Sequence, residues 1–84
     1  MIYRVEVERR AQKQLARIQS EHRERILAAI DALAEDPRPH NSRKLSGEES
    51  YRLRVGNYRV LYLVDDEETF VAVTRVGHRQ NIYG

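Results

Sequence analysis

The sequence of 84 residues contains no cysteine, which excludes disulfide bonds, thiolate metal sites and a cysteine nucleophile. Histidine is scarce as well. The three imidazoles belong to His22, His40 and His78, and they lack the spacing that metal ligands require. We therefore expect neither a metal nor any other cofactor.

Long apolar runs are absent too. No stretch approaches the roughly 20 apolar residues that a membrane-spanning helix needs, and the opening MIYRVEVERR lacks the apolar core of a secretory signal. We expect a cytoplasmic protein with no membrane partner. A chain of this length is expected to form one domain, residues 1–84, with a thin core.

Acidic residues are missing from two parts of the C-terminal half. Residues 50–64 and 69–84 contain no Asp or Glu, although the net charge of the whole chain is only +2. The same two segments hold five arginines, namely Arg52, Arg54, Arg59, Arg75 and Arg79. A run of charge is usually just a solvated face. Segregation of basic strands from acidic turns makes that ordinary explanation less satisfactory here.

Alternating residues predict a short first strand at residues 2–7, and two charged helices with apolar stripes follow. Ser20 is the expected N-cap of the second helix, and Glu21 and Arg25 are spaced for an ion pair. The stripes consist of Ala11, Leu15 and Ile18 in the first helix, and Ile26, Ile30, Leu33 and Ala34 in the second.

Residues 36–50 carry two prolines and predict a connection, with a short extended piece at residues 43–45. Three strand patterns follow, so the order of elements is β-α-α-β-β-β. This order favours an α+β fold in which two N-terminal helices pack on one face of an antiparallel sheet.

Residues 51–62, YRLRVGNYRVLY, predict a hairpin whose two-residue turn is Gly56–Asn57. In that register Arg54 faces Arg59, and both share a face with Arg52. Three guanidinium groups without a neighbouring carboxylate predict a phosphate site. An exposed strand face coated with arginine for solubility is the alternative.

The C-terminal segment VGHRQNIY adds three side chains that suit nucleic-acid chemistry. The imidazole of His78 can act as a general acid or base near neutral pH. The ring of Tyr83 can stack on a nucleobase, and Arg79 lies between the two in the sequence. Taken singly, His78 is better explained as a loop residue bonded to the backbone, and Tyr83 as an aromatic side chain packed on the edge of the core. Lys44 would extend the basic surface from the preceding connection.

Taken together, these motifs resemble the RelE/ParE superfamily of toxins from type II toxin–antitoxin modules. The resemblance covers essentially the whole chain and includes Ala11, Lys13 and Leu15 on the first helix, DPRP, and RKLSG at 43–47. Its most specific parts are YRLRVGNYRVLY and VGHRQNIYG. The resemblance implies a microbial ribonuclease-like α+β fold.

Within the superfamily, RelE-like members cleave messenger RNA in the ribosomal A site, with basic residues at the positions of Arg52, Arg54 and Arg59. They also carry an arginine at Arg79 and a tyrosine at Tyr83, so the resemblance implies an endoribonuclease. The implied partners are the ribosome with its rRNA, messenger RNA, and a cognate antitoxin in a hetero-oligomeric complex. Further RNA or ribosome contacts are expected from Arg43, Lys44 and Arg75.

The implied reaction is attack of a ribose 2′-OH on the adjacent phosphate. Arg52 and Arg59 would stabilise the phosphorane, Arg79 would act on the leaving group, and Tyr83 would orient a flanking base. RelE-like chains often carry lysine where this chain has Arg52 and Arg54. Because arginine stays protonated at any working pH, Arg54 is a poor general base, and His78 is the candidate substitute.

Two other functions remain open within the resemblance. ParE-like members inhibit DNA gyrase and lack the ribonuclease residues. A catalytically inactive member would serve only as the partner of its antitoxin.

Overall fold

The computed structural model describes residues 2–45 and 49–82, which form two helices and five strands. In chain order these are β1 (Arg4–Val7), α1 (Arg9–Ala16), α2 (Ser20–Ala32), β2 (Ser42–Lys44), β3 (Ser50–Val55), β4 (Tyr58–Asp65) and β5 (Phe70–His78). The predicted α+β class and the two helices packed on a sheet are confirmed.

The five strands form one sheet in the order β1-β5-β4-β3-β2. Strands β2 to β5 are antiparallel neighbours, whereas β1 pairs in parallel with β5. The expectation of a purely antiparallel sheet is therefore wrong at one edge. The parallel pair is possible because a long connection, here the rest of the fold, separates β1 from β5.

Both helices bury their apolar stripes against one face of this sheet. Ala11 and Leu15 of α1 and Ile26 and Ile30 of α2 are buried, as the 3.6-residue period predicts. Full burial of one such aliphatic side chain is worth about 1.5–3 kcal/mol. On the strands, the matching core residues are Tyr51, Leu53, Val60, Tyr62, Val64, Val71, Val73 and Val76.

The junction between the helices differs from its expected form. Ser20 is the first residue of α2 rather than its N-cap, and the preceding Gln19 makes no side-chain capping hydrogen bond. Instead, Nη1 of Arg23 donates to the carbonyl oxygen of Ile18 over 3.0 Å. Neither helix in residues 2–45 and 49–82 has the length and apolar character needed to cross a membrane.

Candidate functional site

The turn of the β3–β4 hairpin sets the geometry of the site. Gly56 has a φ of +58°, a left-handed conformation that glycine adopts without the steric penalty of a side chain. The resulting register places Arg54 opposite Arg59 and Arg52 opposite Leu61. The predicted two-residue turn and its register are confirmed, and the arginines share the face turned away from the helices, which we call the outer face.

Strand β2 brings a fourth arginine to the outer face. The extended piece expected at 43–45 is a true strand, and Arg43 lies opposite Arg52 in its antiparallel ladder with β3. Directly opposed residues point to the same side of a sheet. The basic surface therefore extends across three strands rather than two.

These side chains surround a cleft of about 260 Å³, which we call the arginine cleft. Among residues 2–45 and 49–82, no Asp or Glu lines it, so the charged side chains described there are all basic. Its lining residues are His40, Asn41, Arg43, Arg52, Arg54 and Arg59. A planar guanidinium group can donate two parallel hydrogen bonds to the oxygens of a phosphate.

The connection before β2 supplies His40 to the arginine cleft because it is pinned to β3. The side-chain Nδ2 of Asn41 donates to the carbonyl oxygen of Arg54 over 2.8 Å. The backbone N–H of Arg54 returns a bond of 3.1 Å to the carbonyl oxygen of Asn41. The sequence prediction missed His40 and Asn41, because the proline-containing stretch 36–50 to which they belong was interpreted as a connection.

Arg59 is held against the turn from which it starts. Its Nη1 donates to the carbonyl oxygens of Gly56, at 3.0 Å, and Tyr58, at 2.9 Å. The side chain is half-buried. These two bonds tie one end of the guanidinium to the turn, and donors held in place in this way suit charge stabilisation.

Lys44 does not contribute to the arginine cleft. Its neighbour Arg43 lines the cleft, whereas Nζ of Lys44 forms an ion pair of 3.2 Å with Glu49. That bond is the largest of the influences that lower the pKa of the Glu49 carboxyl. A contact of Lys44 with RNA or the ribosome stays a prediction.

Arg75 occupies a different part of the outer face. A bulge between Leu61 and Tyr62 shifts the β4–β5 register, so that Arg75 lies opposite Leu61. Its side chain lines a groove beside α1 together with Arg17, away from the arginine cleft. The Nε atom of Arg75 is buried and has no hydrogen-bond partner in the part of the chain that the structure describes.

His78 lies on the opposite side of the sheet from the arginines. It faces Tyr58 across the β4–β5 ladder, and the two ring centroids are 5.7 Å apart, edge to face. Strand alternation turns Tyr58 and His78 toward the helices while Arg59 points outward. His78 therefore does not line the arginine cleft, and its role as the general base stays a prediction.

The remaining two candidates follow β5. The backbone N–H of Arg79 donates to the carbonyl oxygen of Asn57 over 2.8 Å, which continues the ladder beyond the strand and ties the C-terminal segment to the turn. Alternation from Gly77 predicts the outer face for Arg79, although Arg79 does not line the arginine cleft. Tyr83 lies outside the described residues.

The acidic groups collect at the other end of the sheet around Arg38. Its guanidinium donates to Asp66 over 2.8 Å, to Glu49 over 3.1 Å, and to the hydroxyl of Tyr51 over 2.7 Å. The hydrogen bond from Arg38 is the main reason why the pKa of Asp66 is lowered, and a second bond comes from Tyr3. Charge is therefore segregated between the two ends of the sheet.

Comparison with known protein families gives a match over nearly the whole chain. The model described as ParE toxin of type II toxin-antitoxin system, parDE, matches residues 5–83. Toxin RelG of Mycobacterium tuberculosis is 49% identical over 41 residues, which are 49% of this chain and 45% of that protein. That match spans less than half of the relative.

Solved structures match over almost the full length. The RelE–RelB complex from Pyrococcus horikoshii OT3 has a chain that is 30% identical with a TM-score of 0.86, covering 96% of this chain and 99% of that chain. The intact RelBE toxin–antitoxin complex of E. coli has a chain that is 27% identical with a TM-score of 0.79, covering 90% and 95% respectively.

Proposed function

The chain belongs to the RelE/ParE toxin superfamily of type II toxin–antitoxin systems, and on that premise we propose that it is a ribosome-dependent endoribonuclease. It cleaves messenger RNA in the A site and so inhibits translation. The observation that carries this proposal is the arginine cleft, in which several arginines converge on the outer face with no carboxylate among the described lining residues.

The reaction is an internal transesterification. The ribose 2′-oxygen forms a bond to the adjacent phosphorus, and the bond from phosphorus to the 5′-oxygen breaks. The 2′-OH gives its proton to a base, and the leaving 5′-oxygen takes up a proton from water. The products are a 2′,3′-cyclic phosphate and a 5′-OH end.

Charge stabilisation is the task of the arginines. Arg52 and Arg59 hold the non-bridging oxygens as negative charge develops on them, and Arg54 completes the positive surface. Arg79 acts on the leaving oxygen, and its backbone bond to Asn57 holds this part of the chain beside the turn from which Arg59 starts. Tyr83 orients a flanking base by stacking.

The general base is His40 in this proposal. It is the one ionisable side chain other than arginine among the described residues that line the arginine cleft. Imidazole accepts a proton near neutral pH, whereas guanidinium does not. His78 is the weaker candidate because its ring contacts Tyr58 on the helix side of the sheet.

A cognate antitoxin holds the toxin inactive in the cytoplasm, in a hetero-oligomeric complex. Support comes from the structural relatives, since the Pyrococcus and E. coli chains were both solved in complex with RelB. Ribosomal RNA and messenger RNA are the other partners.

A second candidate function is inhibition of DNA gyrase without nuclease chemistry. The observation in its favour is that the matching family model is the ParE toxin model. The arginine cleft argues for the nuclease, because inhibition of a protein target does not require a preorganised phosphate site.

Translating ribosomes programmed with a defined message separate these functions. Adding the purified protein should give discrete cuts within the A-site codon and fragments ending in a 2′,3′-cyclic phosphate. Gyrase-dependent DNA breaks together with an intact message would support the second candidate. If neither effect is observed, the remaining function is that of an inactive member that only binds its antitoxin.

A further inference from the structure

A second basic cleft lies on the helix side of the same turn. It has a volume of about 330 Å³. Helix α2 contributes His22 and Arg25 to its lining, and strands β4 and β5 contribute Tyr58 and His78. Residues 55–57 of the hairpin complete the lining. We call it the histidine cleft.

The imidazoles of the histidine cleft are held by the ring of Tyr58. Its centroid is 5.5 Å from that of His22 and 5.7 Å from that of His78. Nδ1 of His78 accepts a hydrogen bond of 3.3 Å from the backbone N–H of Gln80. A neutral imidazole with an accepting Nδ1 carries its proton on Nε2, so His78 keeps a donor for a ligand.

Arg25 reaches from α2 to the turn rather than to its own helix. The expected ion pair with Glu21 is not formed, and no ion pair of Arg25 occurs within residues 2–45 and 49–82. One terminal nitrogen of Arg25 lies 3.7 Å from the place a Cβ on Gly56 would occupy. A guanidinium therefore stands beside two imidazoles, and no carboxylate of the described residues lines the cleft.

The two clefts are neighbours that share one turn. Arg54 and Arg59 line the arginine cleft, and the residues between them line the histidine cleft. Nη1 of Arg59 donates to the carbonyl oxygens of Gly56 and Tyr58, which places that guanidinium at the border of the two. The two clefts therefore adjoin at the Gly56–Asn57 turn, where a single strand that bends around the hairpin would meet both.

We propose that the histidine cleft is a second phosphodiester site, which binds a flanking nucleotide of the single-stranded RNA whose scissile phosphate lies in the arginine cleft. This inference rests on the proposed function. Donors without a carboxylate select an anion. The volume is at the low end of the about 300–1,000 Å³ of small-ligand sites, which suits one nucleotide rather than a duplex.

The three histidines of the chain report on the two clefts separately. His22 and His78 lie in the histidine cleft, and His40 lies in the arginine cleft. The full chain is titrated with a 2′-O-methyl oligoribonucleotide, which cannot be cleaved, while the imidazole ring signals are followed by NMR. We expect saturable shifts of all three histidines. Shifts of His40 alone, or of none, would overturn the proposal.

A charge substitution tests the same site by affinity. Arg25→Gln should weaken oligonucleotide binding about two- to fivefold, as expected for one exposed charge contact. It should also reduce the slope of log K against log salt by about 0.7. Arg10→Gln removes the same charge from an exposed position of α1 outside both clefts and is the matched control. Equal effects of the two substitutions would contradict the proposal.

Two further outcomes identify the ligand class and separate this inference from the proposed function. An oligoglutamate peptide that shifts His22 and His78 when the oligonucleotide does not would assign the cleft to an acidic protein partner and overturn the RNA site. RNA binding at both clefts without cleavage on ribosomes would refute the nuclease alone. If the protein cleaves messages on ribosomes and Arg25→Gln binds the oligonucleotide as tightly as the unchanged chain, this inference alone is refuted.

Discussion

Arg54 and Arg59 lie directly opposite each other across the β3–β4 hairpin, with their side chains on the outer face of the sheet. Opposed like charges destabilise a ladder by up to about 1 kcal/mol. Arg59 is nevertheless locked to the turn by two hydrogen bonds to carbonyl oxygens. The proposed function accounts for the pair by an anion that binds between the two side chains, and the first predictions test that proposal.

Removing the guanidinium of Arg59 should remove catalysis. We expect Arg59→Ala to lower kcat for A-site cleavage about 10²- to 10³-fold, the loss seen when one preorganised donor is deleted. Arg79→Ala should likewise abolish growth arrest, and both variants should still bind the antitoxin. Arg10→Ala, on exposed α1, is the control and should remain toxic. Toxicity retained in both the Arg59 and the Arg79 variant would count against the nuclease.

Tyr83 should matter less than the arginines, because we assign it stacking rather than charge stabilisation. Tyr83→Phe keeps the ring and should reduce the cleavage rate less than Arg59→Ala or Arg79→Ala does. Single-turnover cleavage on programmed ribosomes measures the difference. A loss as large as that of the arginine variants would mean that the hydroxyl takes part in proton transfer.

His40 should behave as a base and not as a structural residue. His40→Gln is expected to lower kcat at least about 10²-fold, within the range for general acid–base catalysis, with little change in KM. Free imidazole should restore part of the lost rate. If free imidazole does not restore the rate and His78→Gln lowers kcat by the same factor, His40 is not the general base and that role is left without an assigned residue.

Gly56 is required for its backbone conformation rather than for space. A Cβ there would meet its nearest atom at an ordinary 3.7 Å, but the φ of +58° is left-handed. Gly56→Ala should therefore destabilise the fold by about 1–2 kcal/mol. Gly56→Asn should cost less, because asparagine tolerates this region. Urea unfolding of both variants measures the difference. An equal loss of unfolding free energy in the two would mean that an added side chain is disfavoured by a steric contact instead.

The Arg38 cluster should make folding stability depend on acid pH. Hydrogen bonds from Arg38 and Tyr3 lower the pKa of Asp66 in the folded state, and hydrogen bonds from Lys44 and then Arg38 lower that of Glu49, so the unfolded chain binds protons more readily. The stabilisation is complete above the ordinary carboxyl pKa of about 4 and is lost as pH falls through the lower folded values. Arg38→Met should flatten the curve of unfolding free energy against pH in this window, and an unchanged curve would contradict the assignment.

Local rules predicted the hairpin because its register depends on neighbouring residues alone. Gly56–Asn57 fixes the turn, and the period of two then assigns Arg52, Arg54 and Arg59 to the outer face. The apolar period similarly assigned the buried stripes of both helices. In each case the signal lies within one element or one turn.

Long-range relations were less predictable. The face on which His78 lies depends on the β4–β5 register, and a bulge between Leu61 and Tyr62 shifts that register midway. The position of His40 depends on bonds between Asn41 and Arg54, for which the sequence carries no periodic signal. The parallel pairing of β1 with β5 likewise joins residues that are far apart in the sequence, so no local pattern predicts it.

The most direct test is a structure of the protein on a ribosome programmed with a message whose A-site codon carries 2′-O-methyl riboses. We predict that the scissile phosphate lies in the arginine cleft, with its oxygens about 3 Å from the guanidinium nitrogens of Arg52 and Arg59. A phosphate bound elsewhere on the chain, or a protein that does not occupy the A site, would contradict the account.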